Sequence, residues 1–416
     1  MAWIAHFSSW RDLLGGTTVM EPRLRVTFIY EGPLACDHGS KRILEQMGWL
    51  VAAGCDVSLA PVWRPGDEKV ELSDAVDRLG ISLLDPVRGR RRLRLTRAYP
   101  NVRDNCTNVP HLAQVALASD WVVVGNTSLA GSIAVAATAR SNKAVVSWDG
   151  DSLSRWYGTY SRWLRSSNEY GRALRRRVGA ISAAKFERRL TNQYHFLTVP
   201  GPADIEAIQL SARRRSLVLL IPNVVRTARL QDDQRLAPQS TDALFVGSSY
   251  GPNIDGLRWL LETVWPEVRR RRPAQLTIAG RGLDCAEILL GGSPPKGVNF
   301  LGRVAELGGL YRSAKVVVIP VFYGGGVPNK VLEALACDSP LILTSYAAEA
   351  LGEPQGIVGI DGASAWIEAI VAGFDDPSRN YVDRAVRKEI LTVHGEEGFD
   401  RAMARAVDLV RALRSR

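Results

Sequence analysis

The sequence predicts an α/β protein built from two Rossmann-like domains that face each other across a cleft. Three observations carry that expectation. Short β-branched runs ending in Gly or Pro alternate with helix-patterned stretches in both halves of the chain. A polar, aperiodic segment, residues 226–241, separates the halves. The length, 416 residues, allows two or three cores at about 150 residues per domain.

The C-terminal half is the sharper of the two. Its strand runs are residues 243–247 (ALFVG), 276–280 (LTIAG), 298–302 (VNFLG), 316–320 (VVVIP) and 340–344 (PLILT). Between the first two, Ile254, Leu257, Leu261, Val264 and Val268 recur at helical spacing, and Pro266 within that stretch predicts a kink or a restart. A helix over 330–336 separates the last two runs. Strands alternating with helices imply right-handed βαβ units and a parallel sheet covered on both faces. The N-terminal half repeats the theme with strand 25–30 (RVTFIY), a helix over 40–53, and strands at 56–60, 121–125, 144–148 and 217–221. The expected organisation is an extension (1–19), an N-terminal domain (20–225), a linker (226–241), a C-terminal domain (242–395) and a closing helix (396–416).

Composition, with 46% hydrophobic and 23% charged residues, is that of a globular protein. No run reaches the roughly 18 apolar residues of a membrane span; the richest, 121–139, is broken by Asn126, Thr127 and Ser128. The N-terminus lacks a basic start followed by an apolar block, so no secretory signal is expected. Cys36, Cys55, Cys106, Cys285 and Cys337 are scattered and form no CxxC pair, which argues against a disulfide framework or zinc site and for a reducing, cytoplasmic setting.

The formal charge of +10 is concentrated in the first half. One cluster is Arg88, Arg90, Arg91, Arg92, Arg94 and Arg97; a second runs from Arg162 and Arg165 through Arg172, Arg175, Arg176 and Arg177 to Lys185, Arg188 and Arg189. Either cluster fits a solvated face, or contact with lipid headgroups, a pyrophosphate-linked acceptor or nucleic acid. Nucleic acid is the weakest partner, because no zinc-finger or RNA-binding aromatic signature accompanies the arginines. Trp3, Phe7, Trp10 and Leu14 fall on one helical face. That segment reads as a loose extension, as sequence ahead of a start at Met20, or as a short interfacial helix. The last extends the expected location to peripheral contact with the inner face of the membrane.

The stretch that carries chemistry is residues 322–335, FYGGGVPNKVLEAL, between a strand and a helix. Gly324, Gly325 and Gly326 allow positive φ and close approach of a ligand to the backbone. Free amides at the helix start favour an anion such as a pyrophosphate, and Lys330 on the first turn adds a cation. Glu333, three residues on, shares that face and can accept two hydrogen bonds from a vicinal diol such as a ribose. A plain glycine turn followed by a dipole-complementing Glu is the bland alternative. In the first half, Asp149 and Asp151 follow a strand in VVSWDGDSLS (145–154), where they fit either turn and capping chemistry or a cleft carboxylate.

The stretch resembles the donor-binding signature of GT-B glycosyltransferases, specifically the retaining family 4 and its group 1 relatives. There a Gly-rich turn enters a helix reading Lys-x-x-Glu-Ala, followed by a strand of Pro and β-branched residues; here these are Lys330 to Ala334 and residues 340–344. The likeness is specific over 217–351 and architectural before that. It implies that Glu333 binds the ribose, Lys330 the pyrophosphate, and the Gly325 and Gly326 amides the phosphate or sugar. Gly247 and Ser248 would line the loop after the domain's first strand, and Arg303 would pack the base. Arg281, in the turn after a strand, would add positive charge for the leaving diphosphate. The resemblance further implies a cleft role near the transferred sugar for Asp149 or Asp151, and a glycine loop in Gly39, Ser40 and Lys41. Two departures stand out: the family's frequent second Glu falls at Gly325, and its Arg or Lys near 251–255 is matched only by Asp255.

The resemblance implies an enzyme moving a sugar from a nucleotide-sugar donor to a glycan or lipid-linked acceptor with retention of configuration, as in polysaccharide biosynthesis. No cofactor is expected beyond the donor itself, and no metal, since no His/Glu/Asp cluster suggests one. The alternatives are a catalytically silent GT-B partner that binds nucleotide-sugar, which the Gly325 departure favours, and a GT-B nucleotide-sugar epimerase, which five histidines make less apt.

Overall fold

The computed structural model describes residues 23–31, 38–63, 76, 78–84, 87–88, 114, 117–125, 140–141, 143–212, 217–231, 241–283, 295–352 and 354–415. Residues 1–20, with the Trp3 to Leu14 face, and Arg90 to Arg97 lie outside them.

The N-terminal domain is a parallel sheet in the order β3-β2-β1-β5-β6-β7-β8, with β4 also on β2. The strands are β1 (Arg25–Glu31), β2 (Asp56–Trp63), β3 (Ser82–Leu83), β4 (Val87–Arg88), β5 (Trp121–Gly125), β6 (Val145–Asp149), β7 (Phe196–Val199) and β8 (Val218–Leu220). Helices α1 (His38–Ala52), α2 (Leu153–Ser166), α3 (Tyr170–Gln193) and α4 (Pro202–Ser211) complete it. β1, β5 and β6 are inaccessible along most of their length, as expected for a sheet covered on both faces. The loops after β1 and β5, at the sheet's switch point, fall outside the described residues.

A short helix, α5 (Thr227–Gln231), interrupts the segment expected to be a plain linker. The C-terminal domain is a five-stranded parallel sheet in the order β11-β10-β9-β12-β13. Its strands are β9 (Ala243–Val246), β10 (Leu276–Ala279), β11 (Val298–Gly302), β12 (Val316–Ile319) and β13 (Leu341–Leu343). Its helices are α6 (Gly251–Trp259), α7 (Trp265–Arg271), α8 (Gly308–Ser313), α9 (Asn329–Ala336), α10 (Ser345–Ala350), α11 (Ala363–Asp375) and α12 (Arg384–His394). The disturbance expected at Pro266 takes the form of a π-helical stretch, Leu260–Val264, immediately before α7. Proline cannot donate to a carbonyl one turn back and its ring crowds that carbonyl, so the preceding turn widens.

The last helix, α13 (Glu396–Arg414), returns to the N-terminal domain. Phe399, Met403, Ala406, Val407 and Val410 are buried in the same core as Val26, Phe28, Met47 and Leu50. The chain therefore crosses between domains twice, and the crossings are bonded. Val225 N–H donates to the His394 carbonyl at 2.8 Å, and His394 Nδ1 donates to the Asn223 carbonyl at 3.1 Å. Among the described residues no helix is long and apolar enough to cross a membrane.

Sequence reading missed two features of the first half. β7 is flanked by His195 and Pro200 and is only four residues long. The α2–α3 hairpin was visible only as an arginine cluster.

Candidate active site

The strand order reverses between β9 and β12, and ligands of open α/β sheets bind outside the carboxyl ends of the strands at such a point. The loops leaving β9 and β10 are laced together there. Gly247 N–H donates to the Ala279 carbonyl at 3.0 Å, and Ser249 N–H to the Arg281 carbonyl at 3.1 Å. Gly280 has φ +143°, and a β-carbon on it would fall 1.5 Å from the Gly247 carbonyl oxygen, so only glycine permits this approach.

Lys330 lies on the first turn of α9 and is 7% exposed. Its ammonium donates to Asn253 Oδ1 at 2.7 Å, sits 4.5 Å from the Phe245 ring centroid, and lies 3.2 Å from where a β-carbon on Gly247 would be. Burial pushes its pKa down to about 7, against the attraction of Glu333. Asn253 also donates to the Ser248 carbonyl at 3.2 Å, so one amide ties the β9 loop to α9. Glu333, half-buried, accepts from the buried Tyr311 hydroxyl at 2.8 Å. The structure thus brings Gly247, Ser248, Lys330 and Glu333 around the end of β9, with Arg281 and Arg303 exposed on the neighbouring turns. Asp255 is engaged too, accepting from the Tyr323 hydroxyl at 2.6 Å.

The facing wall comes from the N-terminal domain. Asp149, expected in the cleft, is 2% exposed and held inside its own domain. Arg42 grips it at both oxygens, 2.9 and 2.7 Å, and Gln46 and Thr198 complete its shell at 3.2 and 2.5 Å. Its geometry is that of a clamp joining α1, β6 and β7. Asp151, two residues on, is open to solvent and lies directly against the glycine turn. A β-carbon on Gly325 would fall 2.4 Å from Asp151 Cβ, and one on Gly326 3.2 Å from Asp151 Oδ1. The surrounding protein, then the Asp204 carboxylate, push the Asp151 carboxyl above the usual carboxylate range.

Two amides of the glycine turn are already engaged in this arrangement. Gly326, at φ +65°, donates its amide to Asp204 Oδ2 at 3.0 Å, and Gly324 donates to Thr159 Oγ1 at 3.4 Å. The expectation that the Gly326 amide faces the donor is corrected accordingly. Asp204 also accepts from Ser152 N–H at 3.0 Å, so this buried side chain bridges the two domains.

Around this seam lies an aromatic wall that sequence reading did not find. Tyr160 stacks on Tyr323 at 4.0 Å and 11°, and Trp156 Nε1 donates to the Tyr250 hydroxyl at 3.1 Å. Arg155, 7% exposed, lies 4.8 Å from the Tyr346 ring centroid and 3.5 Å from Glu349. The only signal available was the density of Trp and Tyr in residues 156–163. Among the described residues no three His, Cys, Asp or Glu side chains group as metal ligands would.

Residues 240–376 match the family model described as Glycosyl transferases group 1. No curated protein matches the sequence. Solved structures do match in fold. HepE of Anabaena, in complex with UDP, superposes with a TM-score of 0.63 at 11% identity over 92% of this chain and 100% of that one. A sucrose-phosphate synthase from Thermosynechococcus elongatus gives 0.62 at 16% identity over 93% and 100%. A glycosyltransferase from Rickettsia africae gives 0.62 at 10% over 94% and 98%. The fold is the two-domain GT-B fold of these structures. The family match falls within its C-terminal domain.

Proposed function

We propose that this enzyme takes the sugar of a nucleotide-sugar held by the C-terminal domain and moves it, with retention of configuration, to a glycan or lipid-linked acceptor held by the N-terminal domain. We place that step in polysaccharide assembly at the cytoplasmic face of a membrane. The observation that carries the donor side is Lys330, a buried ammonium at the switch point whose nearest polar partner is a neutral amide. Such a charge is a ready partner for a diphosphate. HepE, of the same fold, is known in complexes with UDP and with UDP-glucose, so uridine diphosphate is the first ligand to try.

Transfer needs positive charge for the leaving diphosphate, and Lys330 with the start of α9 supplies it without a dedicated metal. Retention follows from the family resemblance, in which the acceptor attacks from the face the diphosphate leaves and no separate base is required. Asp151 then acts on the sugar across the cleft, taking the space a side chain at 325 would fill.

The test is transfer and donor hydrolysis by the purified protein against a panel of nucleotide-sugars, with NMR of the product anomeric proton. We expect a retained anomer, and for Asp151→Asn a roughly ten- to hundredfold loss in kcat with UDP affinity nearly unchanged. An inverted product removes retention. The commitment of the Gly326 amide to Asp204 favours a second reading, a silent partner that only binds donor; tight UDP binding with no turnover on any acceptor selects it.

A further inference from the structure

The α2–α3 hairpin presents an inverted helix face. The side of α3 turned inward carries the small residues Ala173, Gly179 and Ala183, with Gly179 against the Tyr157 ring. The side turned outward carries Tyr170, Leu174, Val178 and Ile181, exposed by 65, 66, 54 and 55%. Spacings of four, four and three residues put them on one stripe. Single exposed apolar residues need no explanation, but four of the thirteen large exposed ones among the described residues share this one face.

Apart from Glu169, which pairs with Arg172 at the helix start, the charge around the stripe is basic. Arg175, Arg177, Lys185 and Arg189 are exposed and have no acidic partner among the described residues. The helix's one acid, Glu187, is buried and accepts from Ser152, Ser154 and Ser211. Beside the stripe, an open groove between the two helices is lined by Arg162, Arg165, Arg177 and Ile181.

We infer that the α2–α3 hairpin is the surface by which this enzyme docks on an anionic lipid bilayer. The apolar stripe enters the headgroup boundary while the flanking arginines meet lipid phosphates. Its charge and its apolar row together match such a surface, which neither a neutral partner nor plain solvent does. The inference rests on the membrane-peripheral part of the proposed function and gives it a place. α2 begins two residues after Asp151, and its Tyr160 and Trp163 pack against Tyr323 and Phe322 beside the glycine turn, so a docked hairpin opens the cleft toward the lipid.

The experiment is co-sedimentation of the full chain with vesicles of equimolar phosphatidylcholine and phosphatidylglycerol, with pure phosphatidylcholine as the control. Wild type should bind the anionic vesicles and lose binding as salt rises. The double variant Leu174→Ser/Ile181→Ser should bind at least about tenfold less. So should Arg175→Glu/Arg177→Glu, with circular dichroism and UDP binding unchanged in both as evidence of an intact fold. Equal binding by wild type and both variants overturns the assignment to α3 while leaving membrane contact standing. The same holds if deletion of residues 1–19 abolishes binding and the α3 variants do not. No binding by wild type, equal binding to neutral vesicles, or self-association through α3 in place of lipid binding overturns the inference and the peripheral setting with it.

Discussion

Asp149 and Lys330 are buried charges on the facing floors of the two domains, and they are treated in opposite ways. Asp149 is saturated: two guanidinium nitrogens, an amide and a hydroxyl surround it, and Arg42 goes on to hold the Ile221 carbonyl at 3.0 Å. Lys330 has an amide oxygen, a ring face and a carboxylate three residues along the helix. A buried ion in full pairing holds a fold in place, whereas one whose charge is met only in part is poised for a ligand. The N-terminal floor is thus built for integrity and the C-terminal floor for binding.

The largest expected effect tests the first half of that contrast. Arg42→Met leaves Asp149 buried without its countercharge and should cost about 3–5 kcal/mol in urea denaturation. The matching change on the other floor, Lys330→Met, should leave stability equal or higher, because it removes a desolvated charge, while weakening UDP binding in calorimetry by about 1.5–3 kcal/mol. If both variants lose stability alike, the contrast fails. Glu333→Gln should weaken UDP binding by the lower part of the same range, on the order of 1.5 kcal/mol, with Tyr311 still buried beneath it.

The smallest effect concerns protons. Because the folded pKa of Lys330 is lowered from 10.5 to about 7, the resting amine is largely neutral above pH 7. A bound diphosphate favours the charged form. Binding between pH 7.5 and 9 should therefore take up a fraction of a proton, and affinity should fall as pH rises. Titration in two buffers of different ionisation enthalpy reads this directly. The same shift means that Lys330's contribution to stability rises with pH between about 7 and 10.5, where the unfolded chain holds the proton and the folded one does not.

How legible each floor was in the sequence follows from how it is built. Lys330 and Glu333 sit one turn apart on a single helix after a glycine turn, so local spacing announces them. The wall opposite is assembled from distant pieces: Asp204 from α4, Arg155, Trp156 and Tyr160 from α2, and Arg42 from α1. No periodicity links them. α3 defeated pattern reading for a different reason, since up to Ala183 it buries small residues and exposes large ones. Asp149 and Asp151 looked equivalent as neighbours, and only their partners separate them.

The return of α13 to the first domain has a consequence for how the chain is made. The core around β1 and α1 is closed by Phe399, Met403 and Val410, and the helix is fastened at its far end where Arg414 meets Asp120 at 2.8 Å. A ribosome releasing the chain from its N-terminus delivers the whole second domain before these residues emerge. The N-terminal domain is thus completed only after the second domain has been made, and until α13 arrives its apolar surface stays uncovered.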